Sequence, residues 1–141
     1  EWLPDNYFKG GRTLTRGGAL TGTTEPELYQ AERFGHFTYA IPVAAGRYRV
    51  KLHFAERYFG PSNPSPAGKG VGSRVFHVFC NGEALLRNFD IFHEAGGMDR
   101  AVTRTFDGLT PDAQGKLLLE FRPVTNYALV NAIEVTDEAW K

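Results

Sequence analysis

Tyr48-Arg49-Val50-Lys51-Leu52-His53-Phe54-Ala55-Glu56-Arg57-Tyr58-Phe59 is the stretch that decides the fold. Tyr48, Val50, Leu52 and Phe54 recur at period two with Arg49, Lys51 and His53 between them, the alternation of a half-buried β-strand. After Phe54 the alternation stops. Glu56-Arg57 leads into an aromatic pair, Tyr58-Phe59, and then into Gly60-Pro61-Ser62-Asn63-Pro64-Ser65-Pro66. That run cannot continue a central strand, because proline has no N–H for the ladder. Two large aromatics therefore end a rigid strand on the lip of a loop. They either form a flat platform for a ligand or cover the rim of the core, and the alternation alone leaves both open.

At 141 residues the chain fits one domain, spanning 1–141, with enough length to bury a sizeable core. Sixteen basic residues balance sixteen acidic ones with no long run of either sign. Nucleic acid and anionic membrane are therefore not expected partners. No segment approaches the roughly 20 apolar residues of a membrane-spanning helix, and Glu1-Trp2-Leu3-Pro4-Asp5 reads as neither a signal nor a transit peptide. The lone Cys80 excludes an internal disulfide and offers no metal-ligand spacing, so cysteine usage leaves the compartment open. At the end of an apolar run it is expected to be a buried structural thiol. Aromatic residues make up 13% of the chain, punctuated by sixteen glycines and eight prolines, the composition of a loop-rich all-β domain.

Around the central strand, read over 47–56, further strands are expected at 36–41, 74–80, 83–90, 100–107, 116–121 and 129–135. Asn81-Gly82 joins two of them as a hairpin. The first 24 residues show no sustained period and are expected to be irregular extended chain. Residues 91–99 suggest a loop or a short turn of helix. The loop at 60–73, rich in Pro, Gly and Ser, is expected to be exposed and mobile. Seven or eight short strands without a convincing helix give an all-β, antiparallel sandwich or barrel.

Catalytic patterns are absent. Glu56, Asp90 and Glu134 could in principle pair as glycosidase carboxylates, but they end strands or fall on ordinary surface faces. His36, His53, His77 and His93 have no metal-binding spacing, although His53 and His77 could meet across neighbouring strands. No nucleophile elbow, phosphate loop or dinucleotide fingerprint appears. No cofactor and no metal is therefore expected. Tyr29, Tyr58-Phe59 and Asn126-Tyr127 instead put aromatic and amide groups at loop ends. Sugars offer C–H faces to aromatic rings and hydroxyls to amides. Burying about 100 Å² of such surface contributes on the order of 2.5 kcal/mol. Two contacts and a few hydrogen bonds would then give micromolar to millimolar binding, about −4 to −8 kcal/mol.

Several segments together resemble a malectin domain: Leu28-Tyr29-Gln30-Ala31-Glu32-Arg33-Phe34-Gly35, Phe37-Thr38-Tyr39-Ala40-Ile41-Pro42-Val43, residues 46–56, Arg74-Val75-Phe76-His77-Val78, Asn81-Gly82, Phe89-Asp90-Ile91 and Asn131-Ala132-Ile133-Glu134-Val135. Trp2, Asp5, Phe8, Gly10 and Gly11 resemble the family's segment after its first strand. Their order and spacing match across nearly the whole chain.

The resemblance implies a jelly-roll-like antiparallel β-sandwich that binds carbohydrate without catalysis. It corresponds to carbohydrate-binding module family 57, whose bacterial members are appended to glycoside hydrolases. The family's sugar-contacting residues fall on Tyr29, Tyr58, Phe59 and, where it carries a carboxylate, Asn126, with Tyr127 beside it. A further family tyrosine has no counterpart among residues 16–24. The family's strand preceding Trp2 is also missing, as expected of an excised module. The implied partners are an oligosaccharide or polysaccharide and a covalently linked catalytic domain, in the periplasm or secreted if bacterial. The alternative is a malectin-fold spacer or protein-interaction domain without sugar binding.

Overall fold

A computed structural model describes residues 2–139. Among them the chain forms β1 (Phe8–Thr15), β2 (Ala31–Pro42), β3 (Tyr48–Ala55), β4 (Val75–Cys80), β5 (Glu83–Phe89), a short helix α1 (Ile91–Ala95), β6 (Ala101–Leu109), β7 (Lys116–Thr125), β8 (Ala128–Val130) and β9 (Ala132–Asp137). The strands make two antiparallel sheets. The larger has the order β1-β2-β7-β4-β5, with β8 added to β2, and the smaller has the order β6-β3-β9. The expected antiparallel β-sandwich is therefore present, and its quoted central strand is the middle of the smaller sheet.

The alternation of β3 is realised as burial. Tyr48, Val50, Leu52 and Phe54 all point into the core. Phe54 meets Phe76 and Phe89 of the opposite sheet at ring distances of 5.8 and 4.9 Å, while Phe37 of β2 stacks on Phe121 of β7 at 4.7 Å. Aromatics filling both inner faces let a small sandwich bury large apolar area with few residues. Asn81 and Gly82 adopt φ of +49° and +84°, the mirror-image turn that a two-residue hairpin requires. Cys80 is a buried thiol, and burial, helped by Glu83 and Asp112, pushes it up to about 11.

Two departures from the expected elements have physical causes. β1 lies in the stretch read as irregular. Each of its eight residues is exposed, so no apolar period marks it, and pairing with β2 alone makes it a strand. The register slips between Gly10 and Arg12. Gly10 and Gly11 have φ of +86° and +72°, and a Cβ on Gly11 would lie 2.7 Å from the carbonyl oxygen of Phe34. These glycines are thus required by the bulge.

The second departure concerns the single strand expected over 129–135, which is two. β8 pairs with β2 in the larger sheet and β9 with β3 in the smaller, and the chain changes sheets at Asn131. β7 also runs on past Phe121, through Pro123, to Thr125. Beyond Phe121 it keeps its pairing to β4, while β2 turns to β8, so Pro123 is needed in only one ladder.

Asn131 joins the sheets. Its Oδ1 accepts from the N–H of Ala55 at 2.8 Å, and its Nδ2 donates to the carbonyls of Ala31 at 2.9 Å and Tyr29 at 3.3 Å. Beside it lies the deepest ion pair. Arg74 Nε donates to Glu56 Oε1 at 2.6 Å, with only 5% and 1% of the two side chains exposed. The sequence had placed Glu56 on a strand end or surface face. It is instead an interior carboxylate, tolerable there only because a guanidinium and backbone N–H groups satisfy it.

Two outcomes follow for stability. Gly11→Ala should lower unfolding free energy by more than about 1 kcal/mol, from the left-handed φ and the clash with a backbone carbonyl, read by urea denaturation. Arg74→Met should cost about 3–5 kcal/mol by stranding Glu56, and the double change with Glu56→Gln should recover part of that loss. Equal losses in the single and double variants would rule out the stranded charge as the cause.

Candidate functional site

Glu56 shapes the end of β3. Its Oε2 accepts the N–H groups of both Tyr58 and Phe59, each at 3.2 Å. This turns the chain so that Tyr58 is 52% exposed while Phe59 is buried, the two rings meeting edge-on at 4.9 Å. The Arg74 guanidinium lies 5.0 Å from the Phe59 ring centre, and its Nη1 donates to the carbonyl of Tyr127 at 2.8 Å. Asn126, with φ of +58°, makes the turn between β7 and β8, and its Nδ2 donates to the Ser73 carbonyl at 2.6 Å. Tyr127 is 59% exposed and packs against Phe34 at 5.8 Å. Through Glu56 and Arg74, the loop ends carrying Tyr58-Phe59 and Asn126-Tyr127 are fastened to one another.

Tyr29 is different. It is only 2% exposed, and its hydroxyl lies 3.0 Å from His53 Nδ1. His53 Nε2 lies 2.7 Å from Glu134 Oε1, and Trp2 meets the imidazole edge-on at 5.6 Å. With Nε2–H donating to the carboxylate, Nδ1 accepts the Tyr29 O–H. Burial, followed by the charges of Glu25 and Glu134, pushes the phenol up from its ordinary value. His53 is thus buried on the face read as polar, because it has a partner at each nitrogen. His53 and His77, which neighbouring strands could have brought together, lie on β3 and β4 of different sheets; His77 accepts the Asn88 N–H at 3.0 Å. Of the five residues singled out from sequence, Tyr58, Asn126 and Tyr127 are at the surface, and Tyr29 and Phe59 lie beneath it.

The loop at 60–73, expected to be mobile, is closed on itself. Gly60 N–H donates to Gly68 at 3.0 Å, Gly70 N–H to the Ser73 hydroxyl at 3.0 Å, and Asn63 Nδ2 to the Tyr58 carbonyl at 3.4 Å. Gly68, Gly70 and Ser73 are buried. Tyr58 stays half-exposed beside the loop, with the Arg16 guanidinium over its ring at 5.5 Å.

A groove of about 1030 Å³ runs between the N-terminal segment and β9, lined among others by Trp2, Tyr7, Leu28, Glu134 and Val135, and by none of those five residues. Three of its carboxylates are already engaged: Asp5 by Arg33, Glu32 by Arg16 and Glu134 by His53. Among the described residues no group of three His, Cys, Asp or Glu side chains could hold a metal.

Sequence reading missed the structural roles of Glu56, Arg74, Asn131 and Arg16. Asn131 did leave a signal, being in phase with the apolar Leu129, Ile133 and Val135. A polar side chain in that phase must find partners when buried. The other three are charged residues at strand ends, where exposure is the default.

The malectin domain model matches residues 1–133. A probable LRR receptor-like serine/threonine-protein kinase of Arabidopsis thaliana is 33% identical over 97 residues, 67% of this chain and 9% of that protein. Mouse malectin is 37% identical over 81 residues, 55% of this chain and 25% of its own length. The fold is shared with a Bacteroides uniformis beta-glucuronidase at a TM-score of 0.74 and 17% identity, over 96% of this chain and 15% of that one. The chain thus spans a quarter or less of each of these proteins. On the family match along nearly all of its length, carried by the sandwich described above, the chain belongs to the malectin domain family and is a non-catalytic, carbohydrate-binding domain.

Proposed function

We propose that the sugar lies on Tyr58, with Tyr127 and Asn126 completing the contact surface, and that Tyr29 and Phe59 support it from below. The carrying observation is a half-exposed tyrosine at the end of a core strand, its backbone N–H held by a buried carboxylate. A ring fixed in this way loses little freedom when a sugar face covers it. Asn126 offers its Oδ1 and the second hydrogen of Nδ2, the first being used on Ser73. An aspartate there would turn two acceptors toward the Ser73 carbonyl, which gives a structural reason for an amide where the family pattern has a carboxylate.

In the larger protein, the domain would hold a linked glycoside hydrolase on its glycan. The beta-glucuronidase of Bacteroides uniformis, which contains a domain of this fold, supports that reading. The identity to a plant receptor-like kinase favours a second one, an extracellular recognition domain. A spacer without sugar binding is the outcome if no glycan is retained.

A glycan array followed by calorimetry on the isolated domain tests the reading. Tyr58→Ala should weaken binding at least tenfold, about 1.4 kcal/mol, with little change in melting temperature. Lost stability with unchanged binding would make the ring structural. Asn126→Asp should cost about 1–3 kcal/mol of stability by removing the donor to Ser73, and should also change the rank order among gluco- and galacto-configured oligosaccharides. An unchanged rank order would take Asn126 out of the site.

A further inference from the structure

Arg16, Arg57 and Arg74 are gathered around Tyr58 and Phe59, and two of the three are built in. Arg57 donates from Nε to Asp99 and from its terminal nitrogens to the carbonyls of Tyr29, Gly17 and Gly18. Arg74 donates to both oxygens of Glu56 and to the carbonyl of Tyr127. Both side chains are buried. Arg16 is held differently. A quarter of its side chain is exposed, and it makes one hydrogen bond, from Nε to Glu32 Oε1 at 3.2 Å, while its terminal nitrogens make none among the described residues. Its guanidinium carbon stands instead over the Tyr58 ring, 5.5 Å from the centre.

The backbone beneath this contact is pinned. The Arg16 N–H donates to the Gln30 carbonyl at 2.6 Å, and Arg57 Nη2 holds the carbonyls of Gly17 and Gly18 at 3.0 and 3.2 Å. A Cβ on Gly17 would meet nothing within 4 Å, so there is open space beside Arg16. The guanidinium can therefore leave the ring without any movement of the chain. By pivoting about Nε it leaves Glu32, 4% exposed at its side chain, with the same partner in both positions. No buried charge is stranded. The interaction given up is that of cation and ring, worth about two- to fivefold in an equilibrium constant at an exposed site.

We propose that Arg16 is an internal occupant of the Tyr58 ring that a sugar displaces on binding: its guanidinium covers the ring in the free domain and swings toward Gly17 in the complex. This rests on the assignment of Tyr58 as the sugar platform. The contact sets a threshold there, since a ligand gains on Tyr58 only what exceeds the interaction it replaces. A ligand that spans Tyr58 and the exposed Tyr127 passes that threshold more readily than one touching Tyr58 alone.

The test uses the whole 141-residue chain and a panel of gluco- and galacto-configured oligosaccharides, with calorimetry on the member retained best. Arg16→Gln puts an amide nitrogen where the arginine Nε lies, so it still donates to Glu32 but is too short to cover the ring. It should bind that oligosaccharide about two- to fivefold more tightly than the unaltered chain. In the unaltered chain, the NMR signal of the Arg16 Nε–H should move during titration toward its position in Tyr58→Leu, where the ring current is absent, and should saturate with the calorimetric Kd. Equal or weaker binding by Arg16→Gln, or a signal that stays in place at saturation, would overturn the displacement. If Tyr58→Ala still weakens binding, the platform survives that result. Binding untouched by Tyr58→Ala, or retention of no oligosaccharide, would overturn the platform and the displacement with it.

Discussion

The exposed surface of this domain depends on a carboxylate that cannot itself reach solvent. Glu56 ends the central strand, and at 1% exposure its charge is supportable only because Arg74 and two backbone N–H groups surround it. Each of those partners belongs to something that faces outward. The N–H groups are those of Tyr58 and Phe59, and the arginine continues to the carbonyl of Tyr127. An interior ion pair contributes little net stability over an apolar replacement. What it supplies here is direction, since it ties two loops to a fixed point at the edge of the core. An apolar pair of equal volume would fill the space without specifying where either loop goes.

Asn131 does comparable work one layer away. It stands where the chain passes from the larger sheet to the smaller and replaces the ladder bonds that such a crossing interrupts, reaching Ala55 on one side and Ala31 and Tyr29 on the other. Tyr29 is therefore held twice, by its carbonyl and by its hydroxyl on His53. Removing its hydroxyl would leave His53 Nδ1 without its buried donor.

The core was legible in the sequence because period two is a local property. Tyr48, Val50, Leu52 and Phe54 state their own burial, and Asn81-Gly82 states its own turn. β1 was not legible, since a strand exposed at every position has no period to read. Neither was the division between β8 and β9, because both sides of Asn131 are apolar and β-forming, and only the position of the second sheet separates them. Family resemblance implied contact roles for Tyr29, Tyr58, Phe59 and Asn126 alike, but depth is not a local property, so nothing set the buried Tyr29 and Phe59 apart from the exposed Tyr58. The charged residues Glu56, Arg74 and Arg16 were invisible for the same reason: each is explained by a partner 16 to 18 residues away in sequence or by a loop from the far end of the chain.

The pairing pattern also sets when the proposed binding surface comes into existence. β3 pairs with β6 and β9, and β2 with β7 and β8, so the ladders join residues from opposite ends of the chain. Such contacts close large loops and form slowly. The bond from Arg74 to Tyr127 bridges 53 residues and needs β4, β7 and β8 of the larger sheet in place. The surface is thus among the last parts to assemble, and during synthesis it is absent until β7 and β8 have emerged. Glycan retention at the proposed surface would consequently report on completed folding, blind to any partly built sandwich that precedes it.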